Sequence, residues 1–145
     1  MISPLNVQQE FFEAKSSLMS SVKLFHSFFQ KEPLITTSAH GRVNLIGEHT
    51  DYNNGFVLPS LIPQSLQVSI SLRDDDKIIG ISSEFGELQS SISSSNDQTW
   101  LDFVRGAIYF CRKILPSIKG MNVAVSSSIP SGSGLSSSAA LEIAL

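Results

Sequence analysis

The sequence predicts an α+β fold, and three observations support this class. Apolar residues recur at three- and four-residue spacing near both ends of the chain and once between them, which is the spacing of amphipathic helices. Shorter apolar runs, separated by turn-forming residues, are typical of strands. The strands and helices do not alternate regularly, as they would in a parallel α/β sheet, so a layered α+β architecture is expected.

Three helices are predicted. The first covers Val7 to Phe29, whose aromatic residues fall on one face, and Pro33 lies just past its end. The second begins near Trp100 and is expected to stop before Pro116. The third runs from Leu135 to Leu145 with an apolar face that would normally pack on later residues, so we expect a truncated chain.

Five strand-like runs are also predicted. Residues 53–55 and 74–76 form turn signals between successive runs, which favours antiparallel pairing of neighbours in sequence. The serine-rich stretch 90–96 is predicted to be a surface loop. The five runs are Leu34–Thr36, Phe56–Leu58, Leu66–Leu72, Ile78–Ile81 and Met121–Val125.

Composition restricts the classes of function. A chain of 145 residues with 41 % hydrophobic content is long enough for one compact domain. Its formal net charge of −3 provides no basic field, so neither nucleic acid nor an anionic membrane is an expected partner. No signal-peptide pattern or run of membrane-spanning length is visible, which makes the cytoplasm the expected compartment. The single cysteine, Cys111, is expected to be a small buried residue.

The segment 130–140, PSGSGLSSSAA, is the first candidate for binding chemistry. Glycines let the backbone approach an oxyanion closely, and the free N–H groups and positive dipole end of a helix start favour phosphate. The successive serines add hydroxyl groups that suit phosphate or magnesium. A Walker loop would need Lys followed by Ser or Thr, so a different phosphate loop is predicted. The alternative is structural: a turn in which Ser136 or Ser137 caps the helix.

The segment 41–55, GRVNLIGEHTDYNNG, is the second candidate. It crowds an arginine, two carboxylates, an imidazole and several amides into a stretch with too few apolar residues for a core strand. Such groups suit a substrate rich in hydroxyls, because carboxylates accept hydrogen bonds and an imidazole donates or accepts according to its tautomer. The Arg42 guanidinium suits a transferring phosphate or a nearby carboxylate. A solvated hairpin and a metal site remain alternatives, although one histidine beside two carboxylates is a weak metal pattern.

Together, the two segments resemble motifs of the GHMP small-molecule kinases. Residues 41–53 are similar to the galactokinase signature of that family, and residues 130–140 to its nucleotide-phosphate motif. Residues 100–104, WLDFV, resemble the helix start found between them. The resemblance implies the N-terminal domain of a two-domain GHMP kinase fold (ribosomal protein S5 domain 2-like), truncated here. Residues 1–145 would belong to this domain, the C-terminal half would be missing, and the active site would lie in the cleft between the domains.

The resemblance also assigns roles by position. Arg42 would stabilise the transition state, Ser138 would offer its hydroxyl to Mg²⁺, and Ser82 falls where some relatives contact the nucleotide. The sugar hydroxyls would be bound by Glu48, His49, Thr50 and Asp51. The phosphates of ATP would be wrapped by Gly132, Ser133, Gly134, Leu135, Ser136, Ser137 and Ser138.

The sequence departs from the family pattern at two positions. His40 stands where proline is usual, and Asn54 stands where a second glycine is common, although asparagine still tolerates a left-handed turn. The resemblance further implies a catalytic aspartate, a magnesium-binding glutamate and a third glycine-rich motif beyond Leu145. The 145-residue chain alone is therefore expected to be inactive.

Three functions are compatible with the resemblance. The leading hypothesis is a galactokinase, which transfers phosphate from ATP to galactose and gives galactose 1-phosphate, with Mg²⁺ bridging the ATP phosphates. The second is a related kinase that acts on another sugar, such as N-acetylgalactosamine. The third belongs to a different class, a regulator that binds galactose and ATP without catalysis.

Overall fold

The computed structural model describes residues 19–47 and 53–145, which form three helices and five strands. The predicted α+β class is confirmed. None of the described helices is long and apolar enough to cross a membrane. In chain order the elements are α1 (Ser21–Phe29), β1 (Ile35–Ile46), β2 (Leu58–Arg73), β3 (Lys77–Ser82), β4 (Gly86–Ser91), α2 (Leu101–Cys111), β5 (Gly120–Ser127) and α3 (Ser137–Ala144).

The five strands belong to one mixed sheet, in the order β1-β2-β5-β3-β4. Neighbouring strands are antiparallel except β3 and β5, which are parallel. The predicted pairing of successive strands is confirmed for β1 with β2. It is wrong for β2 with β3, because β5 lies between them. β5 is buried on both faces over nearly its whole length, which explains its central position.

The hydrophobic core lies on one face of the sheet. Val68 of β2 and Val123 of β5 are fully buried there. On the opposite face α1 buries Phe25, and Ser21 Oγ lies 2.7 Å from Ser69 Oγ. Helices α2 and α3 cover the core face with Leu101, Val104, Ile108, Ala140, Leu141 and Ala144.

β1 and β2 are longer than the sequence predicts. β1 continues past Thr36 to Ile46, and β2 contains both the end of the predicted run 56–58 and the predicted run 66–72. β1 is an edge strand, and an edge strand has one partner and needs few buried side chains. Because many residues of β1 are polar, the sequence shows no apolar pattern that would indicate the full length of this strand.

A bulge interrupts the pairing of β1 with β2. The register shifts between His40 and Arg42, so that residues 62–64 of β2 lie opposite Gly41 alone. Pro63, which has no N–H to donate, falls within this bulge. The bulge thus lets one long strand contain a proline.

The helices differ from the prediction at their ends. Of the predicted helix Val7–Phe29, residues 7–18 lie outside the described residues, and Ser21–Phe29 is confirmed as α1. α2 ends at Cys111, short of the predicted stop. Cys111 is exposed, so the prediction of a buried cysteine is wrong. The reason is that Ile108 is the last buried residue of α2, and the final turn extends beyond the core.

β4 is not predicted by the sequence pattern. It pairs with β3 through a tight turn, although Leu88 is its only large apolar residue. The predicted surface loop 90–96 therefore starts later, after Ser91, and it connects β4 with α2.

Candidate active site

The phosphate loop, residues 130–140, has an alternating backbone conformation. Gly132, Gly134 and Ser136 have φ angles of 68°, 72° and 62°, and the residues between them have no positive φ. Such alternation is typical of a nest, a turn in which successive backbone N–H groups converge on an anion. Ser136 has a side chain, so its left-handed conformation costs roughly 1–3 kcal/mol, a strain that is common at ligand sites.

The start of α3 leaves backbone N–H groups available. Ala140 N–H donates the first hydrogen bond of the helix to Ser136 O over 3.0 Å. The N–H groups of residues 137–139 therefore have no acceptor within the helix. Ser136 occupies the N-cap position, but its side chain makes no capping hydrogen bond. The capping alternative is not supported for Ser136, and the helix start is suited to a phosphate.

The hydroxyl groups of the loop differ in their availability. Ser133 Oγ donates to Pro130 O over 2.6 Å and belongs to the internal structure of the loop. Within the described parts of the chain, the hydroxyls of Ser137 and Ser138 have no hydrogen-bond partner, and Ser138 is exposed. These two hydroxyls are therefore available to a ligand.

The phosphate loop is attached to β1 at the bulge. Arg42 N–H donates to Leu135 O over 3.0 Å. A Cβ atom on Gly41 would lie 2.9 Å from the same oxygen and 2.9 Å from Ile62 Cδ1, so only glycine permits this close approach. Two motifs that are distant in sequence thereby become neighbours, and Leu135 contributes its carbonyl to that contact.

The described part of the signature segment places Arg42 beside the phosphate loop. The Arg42 side chain is exposed and forms no ion pair with residues in the described ranges. Across the bulge, His40 Nδ1 lies 3.0 Å from Ile62 O. Asn54 has a φ of 57°, a left-handed conformation that asparagine tolerates. The predicted sugar-binding residues lie outside the described residues: Glu48, His49, Thr50 and Asp51.

A cavity of about 540 Å³ opens beside the phosphate loop, between the start of α3, the β3–β4 turn and the segment before α2. Of the predicted ATP contacts, Ser82, Ser137 and Ser138 line the cavity, whereas residues 132–136 do not. Its size and partly apolar lining suit the base and ribose of a nucleotide. The apolar side chains that line it are Leu66, Phe85, Trp100, Phe103, Val125 and Leu141.

Ser82 has a structural function at this cavity. The residue is buried, and its Oγ accepts hydrogen bonds from the N–H groups of Glu84 over 3.2 Å and Phe85 over 3.3 Å. These bonds shape the β3–β4 turn, and the hydroxyl proton of Ser82 remains available for donation. Nucleotide binding by Ser82 stays a prediction.

Trp100 is a cavity residue that sequence reasoning assigned only to a helix face. Its ring lies against Gly80 of β3, where a Cβ atom would collide with it. Its indole Nε1 is buried without a hydrogen-bond partner among the described residues. A glycine inside the apolar run 78–81 is the signal that could have revealed this contact, because glycine in a strand marks a close approach.

Two carboxylates near the cavity have lowered pKa values. Hydrogen bonds, first from the Ser90 hydroxyl and also from the Arg105 guanidinium, hold the pKa of Asp97 below its usual value. Burial acts to raise the pKa of Asp102, but the N–H of Asp97, the Arg105 guanidinium and the N–H of Thr99 together lower it. Both carboxylates are therefore ionised at neutral pH.

The protein residues around the phosphate loop would bind a magnesium ion only together with a bound phosphate. No group of three His, Cys, Asp or Glu side chains within residues 19–47 and 53–145 could hold a metal. The exposed hydroxyl of Ser138 is a hard oxygen ligand of the kind that Mg²⁺ accepts alongside phosphates and water. The described residues would therefore fit Mg²⁺ only as a companion of bound nucleotide phosphates, and the Ser138 hydroxyl is the group that could reach it.

Comparison with known proteins gives family matches that include both candidate segments. The galactokinase galactose-binding signature matches residues 23–72, and the GHMP kinases N terminal domain matches residues 102–145. The galactokinase of Actinobacillus succinogenes is 38 % identical over 131 residues, which are 86 % of this chain and 34 % of that protein. The chain belongs to the GHMP kinase family.

Solved structures of GHMP kinases have a similar fold. Lactococcus lactis galactokinase complexed with galactose matches with a TM-score of 0.65 and 32 % identity over 84 % of this chain and 34 % of that one. Methanococcus jannaschii mevalonate kinase has a TM-score of 0.61 at 23 % identity over 76 % of this chain and 37 % of its own, and supports the fold alone. This GHMP kinase chain spans about a third of the length of the galactokinases it matches.

Proposed function

We propose that the full-length protein is a galactokinase, which transfers the terminal phosphate of ATP to galactose and forms galactose 1-phosphate. The observation that carries this proposal is the 3.0 Å hydrogen bond from Arg42 N–H to Leu135 O, because it brings the sugar-binding signature against the phosphate loop. The relation to galactokinases supports the choice of sugar. Residues 1–145 would form the N-terminal domain of this enzyme.

ATP would lie across the start of α3. Its base and ribose would enter the 540 Å³ cavity beside Ser82 and Trp100, and its phosphates would bind the left-handed nest and the free N–H groups of residues 137–139. Mg²⁺, held by the phosphates and the Ser138 hydroxyl, would neutralise charge on the phosphates. The proposed ATP-binding residues are Ser82, Gly132, Ser133, Gly134, Leu135, Ser136, Ser137 and Ser138.

The sugar would lie on the other side of the phosphate loop, next to β1. Its hydroxyl oxygen attacks the terminal phosphorus, the bond from that phosphorus to ADP breaks, and the hydroxyl proton passes to a base. Arg42 extends from the bulge beside the loop and would stabilise the charge on the transferring group. The remaining sugar hydroxyls would be bound by Glu48, His49, Thr50 and Asp51.

The family resemblance implies that the base for this proton is an aspartate beyond Leu145. Because the chain spans about a third of the matched galactokinase, we assign the base and any carboxylate ligand of Mg²⁺ to the rest of the full-length protein. This assignment agrees with the two-domain arrangement that the family resemblance implies.

A kinase assay on the full-length protein tests the proposal. With ATP and Mg²⁺, we expect galactose to release ADP and to yield galactose 1-phosphate, identified by ³¹P NMR, with a higher kcat/KM than N-acetylgalactosamine or mevalonate. A preference for N-acetylgalactosamine would favour the related sugar kinase. Binding of galactose and ATP without turnover would favour the regulator, and failure to bind ATP would contradict all three.

Asp51→Ala in the full-length protein is expected to weaken galactose binding by roughly 1.5–3 kcal/mol, because sugar hydroxyls lose a charged acceptor. Affinity for a non-hydrolysable ATP analogue should stay near the wild-type value, and calorimetric titration with each ligand measures both effects. Asp74→Ala, at an exposed acidic position in the β2–β3 turn, is the matched control and should change neither affinity. Equal weakening of both ligands by Asp51→Ala would instead indicate a role in folding.

A further inference from the structure

The segment 96–100, one wall of the 540 Å³ cavity, is held mainly by hydrogen bonds. The Asp102 carboxylate accepts the N–H groups of Asp97 and Thr99, each over 3.2 Å. Asn96 Oδ1 accepts the N–H of Gln98 over 2.7 Å, and Gln98 has a left-handed φ of 55°. The backbone is thus fixed in a tight and locally strained turn.

Open space lies on both sides of Asn96, at the start of this segment. A second cavity of about 440 Å³ is located on the side away from the phosphate loop. Asn96 and Asp102 line both cavities. Residues 96–99 contribute no side chain to the hydrophobic core, so this part of the wall depends on polar contacts, while Trp100 packs against the core.

Arg105 of α2 is the cation on which these contacts converge. Its Nη1 forms an ion pair with Asp102, and its Nη2 lies 2.5 Å from Asp97 Oδ2. Nη2 also donates to Ser90 Oγ over 2.6 Å, and Nε donates to Ser91 O over 3.2 Å. The Arg105 side chain is only 14 % exposed, so its ion pairs are better shielded from solvent than ordinary surface pairs.

We propose that Arg105 is a positioning residue for the nucleotide: by joining the end of β4 to segment 96–100, it holds the cavity wall at the distance that the base and ribose of ATP require. The inference rests on the proposed function, because it takes ATP as the occupant of the cavity. Without the guanidinium, Asp97 and Asp102 would face each other as two carboxylates lacking a shared cation. Their repulsion would displace the wall.

The effect should be confined to the nucleotide. Segment 96–100 lines the nucleotide cavity, whereas Arg42, which follows the bulge of β1, does not line it. Loss of Arg105 should therefore weaken ATP binding while the chemical step and sugar binding continue. A general loss of folding would instead affect both substrates.

The test compares Arg105→Met with Arg112→Met in the full-length protein. Arg112 lies just past the end of the same helix and also lines the second cavity, but it donates to Ile118 O and Lys119 O rather than to segment 96–100. Arg105→Met should raise KM for ATP about tenfold and Kd for an ATP analogue equally. In Arg105→Met, kcat at saturating ATP and KM for galactose should stay near wild type. Arg105→Lys should restore part of the affinity for ATP. Arg112→Met should change neither KM for ATP nor Kd for the ATP analogue.

Asp97→Asn keeps the test decisive if Arg105→Met does not fold. This variant retains the size of the side chain and removes one ion pair, so a smaller rise in KM for ATP is expected. Unchanged ATP affinity in either folded variant, or parallel weakening of both substrates, would overturn the positioning role. A wild-type protein that does not bind ATP would overturn the proposed function itself, which separates the two failures.

Discussion

Arg42→Ala in the full-length protein is expected to lower kcat by about 100- to 1000-fold, the usual effect of removing one charged or hydrogen-bonding group that stabilises a transition state. KM for ATP should change little, because the phosphate loop contacts the backbone of Arg42 rather than its side chain. Alanine still supplies the N–H that donates to Leu135 O over 3.0 Å. The variant therefore separates the guanidinium from the attachment of the loop.

Steady-state kinetics with galactose and ATP, together with a melting temperature, measure this effect. Arg42→Lys is the informative companion, since lysine keeps the charge but lacks the planar fork, and it should fall between alanine and wild type. A kcat close to wild type in Arg42→Ala would remove Arg42 from the reacting centre. A large fall in melting temperature with equal losses for both substrates would assign it to folding.

The phosphate loop was predictable because its geometry depends on local chemistry. Gly132 and Gly134 adopt the positive φ angles that glycine favours, and the loop connects β5 to α3 as the apolar patterns on either side predict. The face of the sheet that forms the core follows from the alternation of apolar and polar residues along the strands. Both features depend on residues that are close together in the sequence, so both can be predicted from it.

Contacts between distant residues were not predictable in the same way. The bond between Arg42 and Leu135 depends on a bulge at Gly41, and a bulge leaves no periodic pattern in sequence. β4 has too few apolar residues to reveal a strand, and it forms because β3 offers it a partner. The Arg105 contacts are intermediate: its pair with Asp102 follows helical i,i+3 spacing, whereas its contacts with Ser90 and Ser91 depend on where the fold places β4.

Gly134→Val in the full-length protein is expected to raise KM for ATP about tenfold or more, because the φ of 72° is a conformation that valine avoids. Strain from a β-branched residue in this region is roughly 1–3 kcal/mol, enough to turn the backbone and redirect the N–H groups of the nest. Open space surrounds Gly134 in this structure, so the backbone conformation, rather than a collision with neighbouring protein atoms, is the reason for glycine.

Gly86→Val is the matched control for this prediction. Gly86 has a φ of 69° and similarly open surroundings, but it begins β4 and lies outside the phosphate loop. Both variants should lose a comparable amount of thermal stability, and only Gly134→Val should lose affinity for an ATP analogue. Melting temperature and calorimetric titration on the same preparation separate the two effects. Wild-type ATP affinity in a destabilised Gly134→Val would show that the loop serves only as a helix entry, and the phosphate-binding assignment would then be wrong.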